Sequence, residues 1–327
     1  MDSVESLMRK LKVFVAGFFC FFSVPAFSQT FPSCNSMRMV IAYPAGGGTD
    51  IQGRIIAQKL SEKWGKNVVV ENRGGGGTVI ATAIVAKATP GGCTLLLTAL
   101  PFAINPFVME KLPYEEKELA PVTQTLRFPQ VLVVTPSLPV RTVKELISHA
   151  AATPGKISFG STGHLGTSHL AGELLSSISG VKLVHIPYKG ASPAHADLFS
   201  GRVPMMFDSL GSINRYITSG QVRAIAVTSA TRSSQLPAVP TVAESGYPGF
   251  EVAAWHGVVT TGGTAVAVVE KISADIRDVL QVPEMRDRMA QVSAEIVAST
   301  PTDFKAFIKT EVNRWGKIIR ELNIKKE

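Results

Sequence analysis

Tyr43-Pro44-Ala45-Gly46-Gly47-Gly48-Thr49-Asp50, followed by Ile51-Gln52-Gly53-Arg54-Ile55-Ile56-Ala57-Gln58-Lys59-Leu60, joins a strand to a helix through a run of glycines. Met39 to Ala42 just before it is a short apolar run suited to a buried parallel strand. Ile51, Ile55, Ile56 and Leu60 mark one face of a helix. Thr49 is placed to cap that helix, with Gln52 three residues on to complete a capping box. The first N–H groups of such a helix have no intrahelical acceptor, and the helix dipole adds partial positive charge there. An anion is therefore stabilised without a cationic side chain. The competing reading is that the glycines only make a tight turn.

The pattern repeats. Asn67 to Glu71 is a second apolar strand, followed by Asn72-Arg73, four glycines, and Thr78 as the next helix cap. Thr94 to Thr98 is a third strand, so residues 37–98 spell β-α-β-α-β, the pattern of a parallel sheet flanked by helices. Ala120 to Gln124 and Gln130 to Thr135 are further strands. A second α/β series then runs through Lys156 to Gly160, a helix from Thr167, Leu183 to Pro187, a helix capped by Ser192, Val203 to Phe207 and Arg223 to Thr228. A Pro- and Ser-rich connector covers 229–249, and the last third is mostly helical, ending in an amphipathic helix from Thr300.

The 327 residues suffice for two domains of ordinary size, and 45% hydrophobic with 18% charged residues is the composition of a soluble globular protein. Residues 1–28 stand apart: Arg9, Lys10 and Lys12 precede an apolar run from Val13 to Phe22, and Ala26-Phe27-Ser28 fits a signal-peptidase site. These residues are expected to be a signal peptide that sends the chain to the periplasm. The net charge of +8 comes from scattered Lys and Arg rather than from a basic run interleaved with aromatics, which excludes nucleic acid as the expected partner and leaves a mild pull on anionic solutes. Cys34 and Cys93 each lie just ahead of a predicted strand. If those strands are neighbours the two can form a disulfide, the alternative being two buried thiols.

Five strand-to-helix loops share one form, small polar residues ahead of a helix: 46–50, 74–78, 161–168, 188–192 and 208–212. In α/β sheets such loops open at the carboxyl ends of the strands, where ligands bind. Asp208 can accept a hydrogen bond from a ligand there or cap the helix that follows. Tyr188 can border a ligand, and Trp255 fits packing or a cleft wall. The glycines are consecutive rather than spaced G-x-G-x-x-G, so a dinucleotide site is not indicated, and no cofactor is expected. The histidines, His149, His164, His169, His185, His195 and His256, show no zinc spacing. Ser161, Ser168 and His169 lie close in sequence, which is not triad geometry, so an exported hydrolase acting on a small carboxylate or amide stands as the alternative function.

With these motifs the chain resembles the Bug-type receptors, the extracytoplasmic solute-binding proteins of tripartite tricarboxylate transporters. The likeness runs through residues 43–50, Val70-Glu71-Asn72-Arg73, Ala103-Ile104-Asn105-Pro106, residues 166–173, residues 184–190 and Met206-Phe207-Asp208 to Ala254-Trp255. His164-Leu165 departs from the family pattern by displacing a glycine one place. The resemblance implies an α/β, two-lobed periplasmic binding protein of type II-like, Venus-flytrap form, each lobe a mostly parallel sheet flanked by helices, with two crossing strands. Residues 29–129 plus 229–327 would form lobe 1 and residues 130–228 lobe 2, crossing at Gln130 to Thr135 and Arg223 to Thr228. It further implies a monomeric, non-catalytic receptor for a small carboxylate, without metal, that serves membrane transporter subunits or a sensor kinase. Carried over, Tyr43, Gly46, Gly47, Thr49 and Asp50 grip one carboxylate, and Ser161, Thr167, Ser168, Tyr188 and Asp208 read the rest of the ligand.

Overall fold

The computed structural model describes residues 34–46 and 48–321; the expected signal peptide and Gly47 lie outside the described residues. Strand β1 (Met37–Ile41) runs parallel to β2 (Val68–Asn72) and to β3 (Thr94–Ala99). Helix α1 (Gly48–Trp64) returns from β1, and α2 (Val79–Ala86) follows β2 after a short 3-10 turn at Gly76–Thr78. Met39, Val40 and Ile41 are fully buried, as a strand with helices on both faces requires. Helix α3 (Pro101–Val108) starts directly after β3.

The two regions read as separate strands, 120–124 and 130–135, form one strand, β4 (Leu119–Val134). Pro121 and Pro129 do not end it. The pairing shifts register near Pro121, so the missing N–H falls at an irregularity rather than in a regular ladder. The first half of β4 pairs antiparallel with β9 (Ala253–Thr261), which also pairs antiparallel with β3. From Gln130 onward β4 pairs instead with β7 (Met205–Ser209) and β8 (Arg223–Val227). Beyond β7 lie β5 (Ser158–Ser161) and β6 (Val184–Pro187), mutually parallel. Two lobes therefore share one long strand. Their outer strands are parallel as expected, while the strands around β4 are antiparallel because the chain passes between the lobes there. A short β10 (Glu295–Ile296) also pairs with β4.

Helices α4 (Val143–Ala152), α5 (Thr167–Ser179), α6 (Ala191–Phe199) and α7 (Leu210–Thr218) surround the second sheet; α8 (Val266–Leu280), α9 (Pro283–Gln291) and α10 (Pro301–Glu321) complete the first lobe. Gly190 at φ 99°, not Ser192, precedes α6. Cys34 and Cys93 form a disulfide with Cα atoms 6.1 Å apart, at the same end of the neighbouring strands β1 and β3. No helix among the described residues is long and apolar enough to cross a membrane.

Candidate functional site

A cavity of about 440 Å³ lies where loops of the two lobes meet. The first lobe contributes Tyr43 and Thr49, the Gly76–Gly77 backbone, the start of α3, and Ala254 to His256 of β9; the second contributes His164 to Thr167. A larger recess of about 710 Å³ is walled by the first lobe alone and carries Glu115, Lys117 and Lys305. The inter-lobe cavity is the better site of the two, because loops of both lobes face it.

In the first loop the Asp50 carboxylate acts within the protein. It accepts from Gly46 N at 2.8 Å, Arg54 Nε at 3.0 Å and Asn72 Nδ2 at 2.9 Å, and Asn72 also reaches the Tyr43 carbonyl. The hydrogen bond from Arg54, then those from Gly46 and Asn72, outweigh burial and hold the Asp50 pKa down at about 2. Gly46 sits at φ 86°, which a side chain would strain. Asp50 thus fixes the loop's shape.

Thr49 is not the helix cap: α1 already begins at Gly48, and the Thr49 hydroxyl lies 3.2 Å from His256 Nε2. Gln52 makes no capping box either. Its Nε2 donates to Thr125 Oγ1 at 2.8 Å, and its Oε1 lies 2.5 Å from His256 Nδ1. This network assigns the proton to His256 Nδ1, so Nε2 accepts from the Thr49 hydroxyl. Burial lowers the His256 pKa to about 4, which keeps the ring neutral. Thr78 likewise makes no side-chain cap; Asn105 donates to its hydroxyl at 3.3 Å and to the Gly77 carbonyl at 2.9 Å.

The second loop is held by hydroxyls and imidazoles. Ser161 Oγ donates to Gly163 O at 3.0 Å and lies 2.7 Å from His185 Nε2, while Ser168 Oγ accepts from Thr162 N at 3.0 Å. Leu165 N donates to His169 Nδ1 at 3.0 Å. His169 and His185 stack with centroids 3.7 Å apart and planes 13° from parallel; His164 lies on the outer side of His169. The ligating nitrogens of these three residues fall within 4.8 Å of one another. His169 and His185 form a ring stack, while His164 is tilted 30° from His169 and 28° from His185. Burial first, then the neighbouring His169 and His164, depress the His185 pKa to about 3. Ser161 is bonded to a carbonyl and is not aimed at the cavity as a nucleophile would be.

Of the residues read from the sequence, Tyr43, Thr49 and Thr167 line the cavity; Gly46, Asp50, Ser161 and Ser168 shape its loops. Tyr188 donates to Asp197 at 2.7 Å, and burial, aided by Asp197, raises its pKa to about 12. Asp208 pairs with His195 Nε2 at 2.6 Å and accepts from Ser209 N, so it does not cap α7. Neither residue lines the cavity. The sequence reading assigned no role to His256, Asn105 or Leu165. Trp255 is both buried packing and cavity wall: its Nε1 donates to Glu311 at 3.0 Å, and its ring meets Phe304 and Phe307 edge-on.

Two α/β lobes about a shared strand, with loops of both facing one cavity, define a two-lobed solute-binding protein. Residues 53–324 match the model of the tripartite tricarboxylate transporter family receptor. The chain is 40% identical over 299 residues to a protein from the tcbD-tcbE intergenic region of Pseudomonas sp. strain P51, covering 90% of this chain and 88% of that one. It is 35% identical to BugT of Bordetella pertussis, covering 93% and 94%. Among solved structures it is similar to an R. palustris protein with adipate, at TM-score 0.75 and 32% identity over 89% of this chain and 98% of the other. It is also similar to MatC of Rhodopseudomonas palustris with bound malate, at TM-score 0.71 and 26% identity over 87% and 98%. The chain therefore belongs to the tripartite tricarboxylate transporter receptor family. It is a solute-binding receptor and not an enzyme.

Proposed function

We propose that the protein captures a small carboxylate outside the cytoplasm, in the cavity between its lobes, and presents it to the membrane subunits of a tripartite tricarboxylate transporter. One observation carries the choice of ligand. The amino termini of α1 and α3 from the first lobe and of α5 from the second meet the same cavity, and among the described residues no Lys, Arg, Asp or Glu lines it. Helix amino termini hold an anion through fixed dipoles, which leaves no unpaired buried cation in the empty protein. The adipate and malate of the two similar structures are small carboxylates, which supports the same class here.

In this reading Tyr43, Thr49 and Thr167 touch the ligand alongside loop N–H groups that include Gly47. Gly46, Asp50, Ser161 and Ser168 position those loops; Tyr188 and Asp208 hold the second lobe in shape. The lobes comprise residues 29–129 plus 229–327 and residues 130–228. They move about the Pro129–Gln130 step of β4 and about Thr228, whose N–H and hydroxyl bond the Gln130 carbonyl. Ligand stabilises closure only through its greater affinity for the closed form. The chain acts as a periplasmic monomer once residues 1–28 are removed, since its own two lobes supply both sides of the cavity. A sensor kinase that reads the closed surface is a second partner of the same kind.

The test is thermal unfolding against mono-, di- and tricarboxylates, amino acids and amides. Ligand at about 100 times its Kd adds about 2.7 kcal/mol, a rise of about 4 °C for a chain of this size. A shift with a carboxylate recovered unchanged is expected. A shift with an amide alone, or with turnover, counts against the proposal.

A further inference from the structure

Several of the cavity's polar side chains are already spent on one another, which leaves the Tyr43 and Thr167 hydroxyls for a ligand. The Thr49 hydroxyl donates to His256, His256 donates to Gln52, and the Asn105 amide donates to Gly77 O and Thr78 Oγ1. With His256 neutral and no charged side chain on the walls among the described residues, the helix amino termini, with the Tyr43 and Thr167 hydroxyls beside them, remain as the means of holding one carboxylate group. Apart from Tyr43, Thr167 and His164 the remaining side chains of the wall are apolar: Leu100, Ile104, Val108 and Trp255 are buried core residues whose faces border the cavity, and Met109 and Leu165 are half-buried against the same apolar cluster. Leu165 comes from the second lobe, so apolar surface closes on the ligand from both sides.

Building on the carboxylate-receptor reading, we propose that the ligand's body is apolar. The protein takes an aromatic or medium-chain aliphatic acid rather than a hydroxylated or polycarboxylic acid such as malate or citrate. A hydroxyl or further carboxylate placed against this wall would lose its water without gaining a partner, whereas a ring or methylene chain gains from leaving water. A volume of about 440 Å³ is ample for such an acid. Hydrophobic contact then supplies affinity and the helix termini supply orientation.

Isothermal titration calorimetry of the purified protein with benzoate, hexanoate, malate and citrate separates the possibilities. At least one of the two apolar acids is expected to bind tenfold or more tightly than both polar ones. Leu165→Asn and Met109→Gln should each weaken that acid at least fivefold. Asn tolerates the left-handed backbone of residue 165, at φ 55°, so the first variant is expected to fold. Malate or citrate binding as tightly as the better of the two apolar acids, or unchanged affinity in both variants, overturns the apolar-body assignment and leaves the receptor reading in place. No heat with any of the four acids, together with no thermal shift across the wider panel, removes the carboxylate reading itself.

Discussion

The two lobes build their cavity loops from the same plan with different chemistry. In each, a buried strand turns through small residues into a helix, and a glycine five residues into the helix lets it press on the strand: Gly53 of α1 on Ile41, and Gly172 of α5 on Phe159. The first loop is tied by a carboxylate, Asp50, among charged and amide donors, and its strand is stapled by the Cys34–Cys93 disulfide. The second is tied by hydroxyls and stacked imidazoles. A loop that must offer free N–H groups can satisfy its own shape in either way, provided the tying groups turn inward.

The largest expected difference lies in the staple. The bond closes a segment with a sequence separation of 59, which the chain-entropy account values at about 4 kcal/mol. Cys93→Ser should therefore lower the unfolding free energy by about that amount in urea titrations. If the variant loses less than about 1 kcal/mol, the first lobe owes its stability to packing as the second does.

The glycines should respond unequally. A Cβ on Gly172 would stand 2.2 Å from the Phe159 ring with two more ring atoms at 2.5 Å, whereas one on Gly53 would meet chiefly the flexible end of Ile41 at 2.4 Å. Urea unfolding of Gly172→Ala is expected to show a loss of about 3 kcal/mol, and Gly53→Ala about 1 kcal/mol. Equal losses would mean that both helices shift as rigid units.

Acid should act on both loops, through different groups. His185 and His256 have folded pKa values of about 3 and about 4, below the unfolded value of about 6.5. The native state then binds fewer protons than the unfolded chain, so their contribution is full above about pH 6.5 and is lost as pH falls toward those folded values. Asp50, lowered from 3.8 to about 2, adds its loss only below about pH 4. His185→Gln and His256→Gln should each flatten part of the stability slope between pH 6.5 and 4 in thermal unfolding. If one variant removes the whole slope, only one loop is acid-sensitive.

Much of this was legible in residues 43–60. The apolar strand, the glycines and the helical period mark a strand-loop-helix unit, and the later small-residue loops mark its counterparts. Thr49 was read as a cap because a threonine ahead of an apolar period is the usual signal. Its actual partner, His256, lies 207 residues away and carries no local mark. Residues 120–124 and 130–135 were read as two strands, yet β4 runs through both and past Pro121 and Pro129, since pairing on two sheets outweighs the missing hydrogen bonds. Leu165 was noted only as part of a departure from the family pattern, because a single leucine in a polar loop shows no wall role until the opposite lobe is seen.

The sequence by itself determined the elements, their α/β order and the motifs of the receptor family, because periodicity, glycine placement and helix-start residues act within a few positions along the chain. Tertiary structure alone decided which polar groups face the cavity and which are consumed inside the protein. Hydrogen-bond partners such as Gln52 and Thr125, or Trp255 and Glu311, are chosen by packing across distant segments, and a buried polar group takes whichever partner the fold brings to it.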